Sequence, residues 1–167
     1  TTEVSLPYVC FCMNRILSNL DEYAQIAFPK ALEIPRSKKH ISLIVNRKGT
    51  VLAIGDNNHR VSAAAARIGY RYDEAHSELD AFSRLSPNLR NANGLILLNF
   101  RFNRFGDIRM SKPCSKCMPW CSAIFRRIVY TTRAGYEVMI PNRDELRSIS
   151  LPSFRRNVKN AASPGGP

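Results

Sequence analysis

The sequence predicts a single α/β domain, and two observations favour that fold class. The chain has 167 residues, which is near the usual size of one compact domain. Helical and strand patterns also alternate along it, with apolar residues at three- and four-residue steps in some segments and short apolar runs between turn residues in others. We therefore expect one hydrophobic core and no second folding unit.

The first part of the chain predicts a helix followed by a β-hairpin. The helix should start near Pro7 and end by Pro29, because apolar residues recur there at helical spacing. Residues 41–45 and 50–54 are mostly apolar runs on either side of a turn that contains Gly49, which is typical of a hairpin. Residues 55–58 are turn-forming and should end its second strand.

The middle of the chain predicts a helix, a buried strand and another helix. Residues 59–75 are basic and rich in alanine, and residues 76–85 then predict a short helix. The largely continuous apolar run at 95–100 is typical of a buried strand. The next helix should open at Pro113 and run to about residue 125, and Pro119 inside it should cost a backbone hydrogen bond.

The last predicted strands form a second hairpin. Residues 128–131 and 136–140 are separated by only four residues, whereas a parallel pair needs a crossover of about a dozen or more. The two strands should therefore pair antiparallel. Beyond them, residues 142–167 predict a short helix and a basic, partly disordered C-terminal segment, so we place the main domain at residues 1–141.

The charge balance indicates a polyanionic partner. Lysine and arginine number 25 against 13 acidic residues, the formal net charge is +12, and arginines predominate among the cations. Arginine suits bidentate contacts to phosphate and stacking on bases, so DNA, RNA or a nucleotide is the expected partner. The alternative is a basic surface that aids solubility or tethers the protein in a larger assembly. No stretch approaches the roughly 18 to 20 uncharged apolar residues of a membrane span, so we expect no membrane partner.

The cysteines do not resemble a disulfide framework. Their number is odd, with Cys10 and Cys12 near one end and Cys114, Cys117 and Cys121 together. Secreted domains of this kind are held by paired cysteines at regular spacings. We therefore expect a cytoplasmic or otherwise reducing compartment and a metal site, with Cys121 a buried small hydrophobe rather than a fourth ligand.

Two short motifs carry the candidate chemistry and have to be interpreted together. His76-Ser-Glu78 precedes the predicted strand at 95–100, and Pro113-Cys-Ser-Lys-Cys117 follows it. A His-x-Glu triplet occurs by chance in many proteins, and Cys-x-x-Cys also serves redox and structural zinc sites. The two in this order are the signature of the zinc-dependent nucleobase deaminases.

One imidazole and two thiolates suit a catalytic Zn²⁺ ion. His76, Cys114 and Cys117 would fill three tetrahedral positions and leave the fourth for water. The two cysteines should share one face in the first turn of the predicted helix, where free N–H groups favour thiolates. His76 has to lie at the frayed start of its helix to converge with Glu78, which would move protons between water and a leaving amine. The alternatives are a structural zinc site or no metal.

With these residues in place, the chain resembles the cytidine deaminase superfamily over roughly residues 5–140. The resemblance rests on the two motifs and on the order helix, hairpin, His-x-Glu helix, strand, Pro-Cys-x-x-Cys helix, strand. It implies a three-layer α/β/α sandwich around a mixed five-stranded sheet. The predicted final hairpin is similar to the branch that contains nucleoside, blasticidin and toxin deaminases.

The resemblance also implies substrate-binding residues. Many members bind the substrate sugar with an Asn at the position of Asn57, and Asn58 is a near alternative. The stretch 59–75 is longer than in compact members, and its Arg60 is a candidate phosphate contact. Two positions depart from the family pattern. Ser77 stands where most members have Ala, and His59 stands where free-nucleoside deaminases usually carry Glu, which disfavours a free nucleoside.

These features predict a zinc-dependent hydrolase that deaminates cytosine, with adenine as the second choice, in a nucleotide or nucleic acid. The alternative is a non-catalytic protein that keeps the fold and serves as a structural component of a virus particle or ribonucleoprotein. The protein would then be virion-associated. A homo-oligomer or a larger assembly is open under either hypothesis.

Overall fold

A computed structural model of the chain describes residues 13–57, 76–90 and 92–141. Its helices are α1 at Leu20–Leu32, α2 at Ser77–Arg84 and α3 at Met118–Ile124, with a 3₁₀ turn at Pro87–Leu89 and a further helical segment at residues 13–18. Its strands are β1 at Lys39–Val45, β2 at Val51–Asp56, β3 at Ile96–Phe102, β4 at Arg127–Thr132 and β5 at Gly135–Met139. Within these ranges no helix is long and apolar enough to cross a bilayer.

The five strands form one mixed sheet in the order β2-β1-β3-β4-β5. β1 pairs antiparallel with both β2 and β3, β3 and β4 are parallel, and β4 and β5 are antiparallel. The α/β class, the mixed five-stranded sheet and the final hairpin are thus confirmed. The antiparallel pairing of β4 with β5 follows from the length of the link between them, which is too short for a crossover connection.

The sheet buries apolar side chains on both of its faces. Successive strand residues point to opposite sides of the sheet. Leu43 and Leu98 therefore pack in the cluster that contains buried residues of α1, whereas Ile44 and Leu97 pack in the cluster that contains buried residues of α2. Strands buried on both sides read as continuous apolar runs, as β1 and β3 do. The complete three-layer sandwich stays a prediction.

The first helix is longer than predicted at its C-terminal end. It continues through Pro29 to Leu32, although Pro29 lacks the N–H that would bond one turn back. Ala27 and Ala31, on either side of Pro29, are fully buried in the core shared with the sheet, and this packing offsets the lost hydrogen bond. The predicted start near Pro7 lies outside the described residues.

The prediction of a helix opening at Pro113, with Cys114 and Cys117 in its first turn, was wrong, because α3 begins at Met118 and Cys117 is its N-cap. Residues 115–117 form a turn instead, in which the Cys117 N–H donates to the Cys114 carbonyl at 3.0 Å. Pro119 then falls in the first turn of α3, where its N–H would have no helical partner. The predicted loss of a hydrogen bond at Pro119 does not arise.

The contact between β2 and α2 depends on Gly55. β2 continues through Gly55 to Asp56, where a turn was predicted. A Cβ atom on Gly55 would lie 2.1 Å from the Ala81 nitrogen and 2.4 Å from the Ser77 carbonyl oxygen. The Asp56 N–H donates to the Asp80 carboxylate at 2.9 Å, which ties the same two elements together. Glycine therefore lets the helix that follows His76 lie directly on the strand.

Gly55→Ala should destabilise the protein by about 3 kcal/mol or more, because the added methyl group meets helix backbone that cannot rotate away. Chemical denaturation followed by circular dichroism measures the change. Ser86→Thr is the matched control, since it adds one methyl group at an exposed position and should change stability by less than about 0.5 kcal/mol. Equal stability of Gly55→Ala and the wild type would contradict the close approach.

Candidate metal centre

His76 lies at the position that the sequence requires. It is the N-cap of α2, with extended backbone angles of φ −69° and ψ 155°, so it stands outside the regular helix. Its carbonyl accepts the N–H of Asp80 at 3.0 Å, which begins the helical hydrogen bonding. The imidazole and the Glu78 side chain, two residues later, consequently line the same cavity.

His76, Cys114 and Cys117 lie close enough to hold a metal ion. Their ligand atoms are all within 4.8 Å of one another, with His76 Nδ1 at 3.2 Å from Cys117 Sγ and 3.5 Å from Cys114 Sγ. Tetrahedral zinc, with Zn–N near 2.05 Å and Zn–S near 2.3 Å, requires N···S separations of about 3.6 Å. The donor set and its spacing therefore fit a zinc ion.

A bound cation would change the protonation of the two thiols. Burial, followed by the nearby Glu78 carboxylate and Cys114, raises the pKa of the Cys117 thiol. A divalent cation favours the thiolate form outright. Metal binding at this site should accordingly release protons.

Cys121 is a buried core residue, as predicted. It packs in the cluster that covers α2 and lies outside the group of candidate ligands found among the described residues. Cys10 and Cys12 lie outside the described residues. The candidate ligand set therefore stays at one imidazole and two thiols.

Glu78 is buried beside the ligands and is held by one amide. Asn99 Nδ2 donates to Glu78 Oε1 at 2.9 Å. Burial raises the pKa of the Glu78 carboxyl, and the hydrogen bonds from its own backbone and from Asn99 counteract part of that rise. A carboxyl in such surroundings is able to hold a proton in a range where an exposed glutamate would not.

A buried set of polar side chains behind Glu78 was not found from the sequence. Ser42 on β1 donates to Asn99 Oδ1 at 2.7 Å, and its hydroxyl lies 2.8 Å from that of Ser77. Ser111 donates to the Asn99 carbonyl at 2.8 Å. The available signal was that Ser42 and Asn99 interrupt apolar runs predicted to be buried, where a polar side chain needs a partner.

The cavity above these groups has a volume of about 240 Å³. Burial, then the neighbouring Arg101, His76 and Lys38, lowers the pKa of His40 to about 4, so His40 is neutral at physiological pH. The cavity thus combines a buried carboxyl, the candidate ligands, a neutral imidazole and two lysines; its described lining is Lys38, His40, Asn57, His76, Ser77, Glu78, Lys112 and Cys114.

Asn57, the predicted sugar-binding residue, lines the cavity but also has a structural role. Its Oδ1 accepts the N–H of His40 at 3.1 Å, and its Nδ2 donates to the Lys38 carbonyl at 2.9 Å. The amide retains a second N–H and a second lone pair for a ligand. Asn58 and Arg60 lie outside the described residues, and their assignment stays a prediction.

Comparison with models of known protein families gives no match, and neither does comparison with curated protein sequences. A His/Cys/Cys cluster able to bind a metal and a mixed five-stranded α/β sheet together fit a deaminase-like fold.

Cys117→Ser should remove most of the zinc that copurifies with the protein, because a serine hydroxyl stays protonated and binds zinc poorly at neutral pH. Mass spectrometry of acid-digested protein measures about one zinc per chain in the wild type under this prediction. Cys121→Ala is the control and should keep its metal. The same metal content in Cys117→Ser and wild type would exclude Cys117 from the ligand set.

Asn99→Leu should cost about 3 kcal/mol of stability, because Glu78, Ser42 and the Ser111 carbonyl would each lose a buried hydrogen-bond partner. Thermal denaturation of metal-free protein in the presence of a chelator isolates this effect from metal binding. Asn88→Leu makes the same change at an exposed position and should shift stability by less than about 0.5 kcal/mol. Similar losses in the two variants would argue against the network.

Proposed function

We propose that the protein is a zinc-dependent hydrolytic deaminase that acts on cytosine, with adenine as the second choice, in a nucleotide or nucleic acid. The observation that carries the proposal is the shared cavity of Glu78, His76 and Cys114, which puts a buried carboxyl beside two of the candidate ligands. The order of the two motifs supports the same reaction class. The family fold, a three-layer α/β/α sandwich, is supported by the packing of α1 and α2 against separate core clusters.

His76, Cys114 and Cys117 would hold the zinc ion. When bound, the ion supplies a Lewis acid that makes water nucleophilic near neutral pH. Cys117 is the N-cap residue of α3, and Cys114 lies three residues before it. The two thiolates offset the charge of the ion, so the site itself gains little net charge.

Glu78 would move the protons of the reaction. Hydrolytic deamination adds water across the ring C–N bond beside the amine and then breaks the exocyclic C–N bond. One water proton therefore has to pass to the ring nitrogen and the other to the departing ammonia. Asn99 fixes the carboxylate through Oε1 at 2.9 Å, so its orientation is set before substrate binds. Because burial raises the pKa of Glu78, the carboxyl is able to carry a proton between the two transfers.

His40 would line the base-binding part of the cavity with an uncharged imidazole. With its pKa lowered to about 4 by burial and neighbouring cations, the ring keeps one donor and one acceptor nitrogen at neutral pH. It therefore adds hydrogen-bonding capacity without repelling the metal. Asn57, through its remaining N–H, is the candidate contact for the sugar.

The alternative, a non-catalytic component of a virus particle or ribonucleoprotein, is favoured by the net charge of +12. A basic protein binds nucleic acid through its charge whether or not it turns over a base. This alternative needs the fold and the charge, but it does not need Glu78. The role of Glu78 therefore separates the two hypotheses.

Glu78→Gln should lower ammonia release by about 10² to 10⁴-fold while zinc content stays at the wild-type level. The assay covers cytidine, deoxycytidine monophosphate, single-stranded DNA and RNA, each with the zinc-loaded full chain. Glu33→Gln is the control, since Glu33 is an exposed residue at the end of α1. Zinc-loaded wild type that releases no ammonia from any of these would favour the non-catalytic alternative, and full activity of Glu78→Gln would remove Glu78 from its role.

A further inference from the structure

We infer that Lys38 and Lys112 form a cationic rim at the cavity mouth that binds a phosphate group on the ligand. The inference deepens the proposed function, on which it rests, because it makes a phosphate-bearing nucleotide unit the substrate rather than a free nucleoside. The rim is defined here as these two lysines. Its chemistry suits the phosphate of a mononucleotide or of a nucleic-acid strand.

The two lysines come from separate segments and meet at one cavity. Lys38 directly precedes β1, and Lys112 lies two residues before the candidate ligand Cys114. Both residues are exposed, whereas Glu78 in the same cavity is 5% exposed. The cavity therefore extends from the buried Glu78 to a solvent-facing mouth that carries positive charge.

The backbone of Lys38 is held in place by Asn57. The Asn57 side chain donates to the Lys38 carbonyl at 2.9 Å and accepts the N–H of His40 at 3.1 Å. These two hydrogen bonds fasten the residues on both sides of Lys39 to the end of β2. Only the Lys38 side chain has to be ordered when an anion binds, which lowers the entropic cost of binding.

Lys112 is fixed in a similar way by its neighbour Ser111. The Ser111 N–H donates to the Thr131 carbonyl at 2.9 Å, and its hydroxyl donates to the Asn99 carbonyl at 2.8 Å. The Ser111 carbonyl accepts a hydrogen bond from Asn99 Nδ2 at 3.2 Å. Lys112 therefore extends from a residue whose backbone is anchored to two strands.

The charge at the mouth is not cancelled by the described lining of the cavity. Glu78 is the acidic side chain among those lining residues, and it is buried and hydrogen-bonded to Asn99. An ammonium group at a partly enclosed mouth attracts anions more strongly than one on an open surface, because less solvent screens it. Phosphate is the anion that a nucleobase-bearing ligand carries.

The size of the cavity puts the phosphate at the mouth. Its volume of about 240 Å³ is below the roughly 300 to 1,000 Å³ of pockets that enclose drug-sized ligands. A nucleotide whose base reaches Glu78 therefore extends out of the cavity at its sugar-phosphate end. That end meets Lys38 and Lys112.

Binding of ribose 5-phosphate, compared with ribose, tests the rim without any deamination, since neither sugar carries an amine. Titration calorimetry on the zinc-loaded full chain at low salt should give about tenfold tighter binding of ribose 5-phosphate than of ribose. The double variant Lys38→Gln/Lys112→Gln should lose that difference. The control Lys30→Gln/Lys48→Gln also removes two positive charges, from exposed positions on α1 and in the turn after β1, and should keep the difference.

The rim is overturned if the double variant binds ribose 5-phosphate as tightly as the wild type, or if the wild type does not distinguish the two sugars. Ammonia release measured on the same samples separates this result from the proposed function. If the double variant loses phosphate binding while the wild type releases no ammonia from any substrate, the rim is supported and deamination is rejected. If the wild type releases ammonia but binds ribose 5-phosphate no more tightly than ribose, deamination is supported and the rim is rejected.

Two further ligands distinguish the sources of the phosphate. Cytidine 5′-monophosphate and a trinucleotide with a central cytosine should both bind about tenfold more weakly to the double variant than to the wild type. The ligand that the wild type binds more tightly identifies a mononucleotide or a strand as the source. Unchanged affinity of the double variant for both would count against the rim.

Discussion

The hydrogen bonds of the Asn99 side chain join the segments from which the candidate centre is built. Asn99 lies on β3, the middle strand of the sheet. Its side chain donates to Glu78, in the first motif, and to the carbonyl of Ser111, which precedes the second motif. Its Oδ1 accepts the Ser42 hydroxyl from β1. Because each partner is buried and an unpaired buried polar group costs about 1 to 3 kcal/mol, these segments cannot shift independently. Asn99 thereby links the segment that carries His76 to the segment that carries the cysteines.

The sequence was sufficient to predict the three candidate ligands that cluster and the final hairpin, and the reasons are local, whereas the mixed five-stranded sheet was implied by the family resemblance. Zinc is bound by few residue types, chiefly Cys, His, Asp and Glu, and the two motifs contain one His and two Cys at short spacings. The pairing of β4 with β5 follows from the length of their link. The extended backbone of His76 was also predictable, because residues two apart on a regular helix point in different directions.

The helix limits near prolines were not predictable, because packing and turn geometry decide them. Pro29 was expected to end α1, but buried Ala27 and Ala31 hold the helix against the sheet on both sides of it. Residues 115–117 form a turn although Pro113 is an acceptable first helical residue. The partners of Ser42 were hidden for a similar reason. Its pairing with Asn99 across β1 and β3 depends on strand register, which no local pattern reveals.

The distribution of charge in the cavity connects the metal ligands with the choice of substrate. At the buried end, two thiolates would offset a divalent cation, and the neutral His40 adds no charge. This end then suits an uncharged base and does little to weaken the field of the two lysines at the mouth. Glu78 is the acidic side chain among the described lining residues, and burial raises the pKa of its carboxyl. A ligand that is neutral at one end and anionic at the other matches both halves of the cavity, and a phosphorylated pyrimidine nucleotide has that distribution of charge.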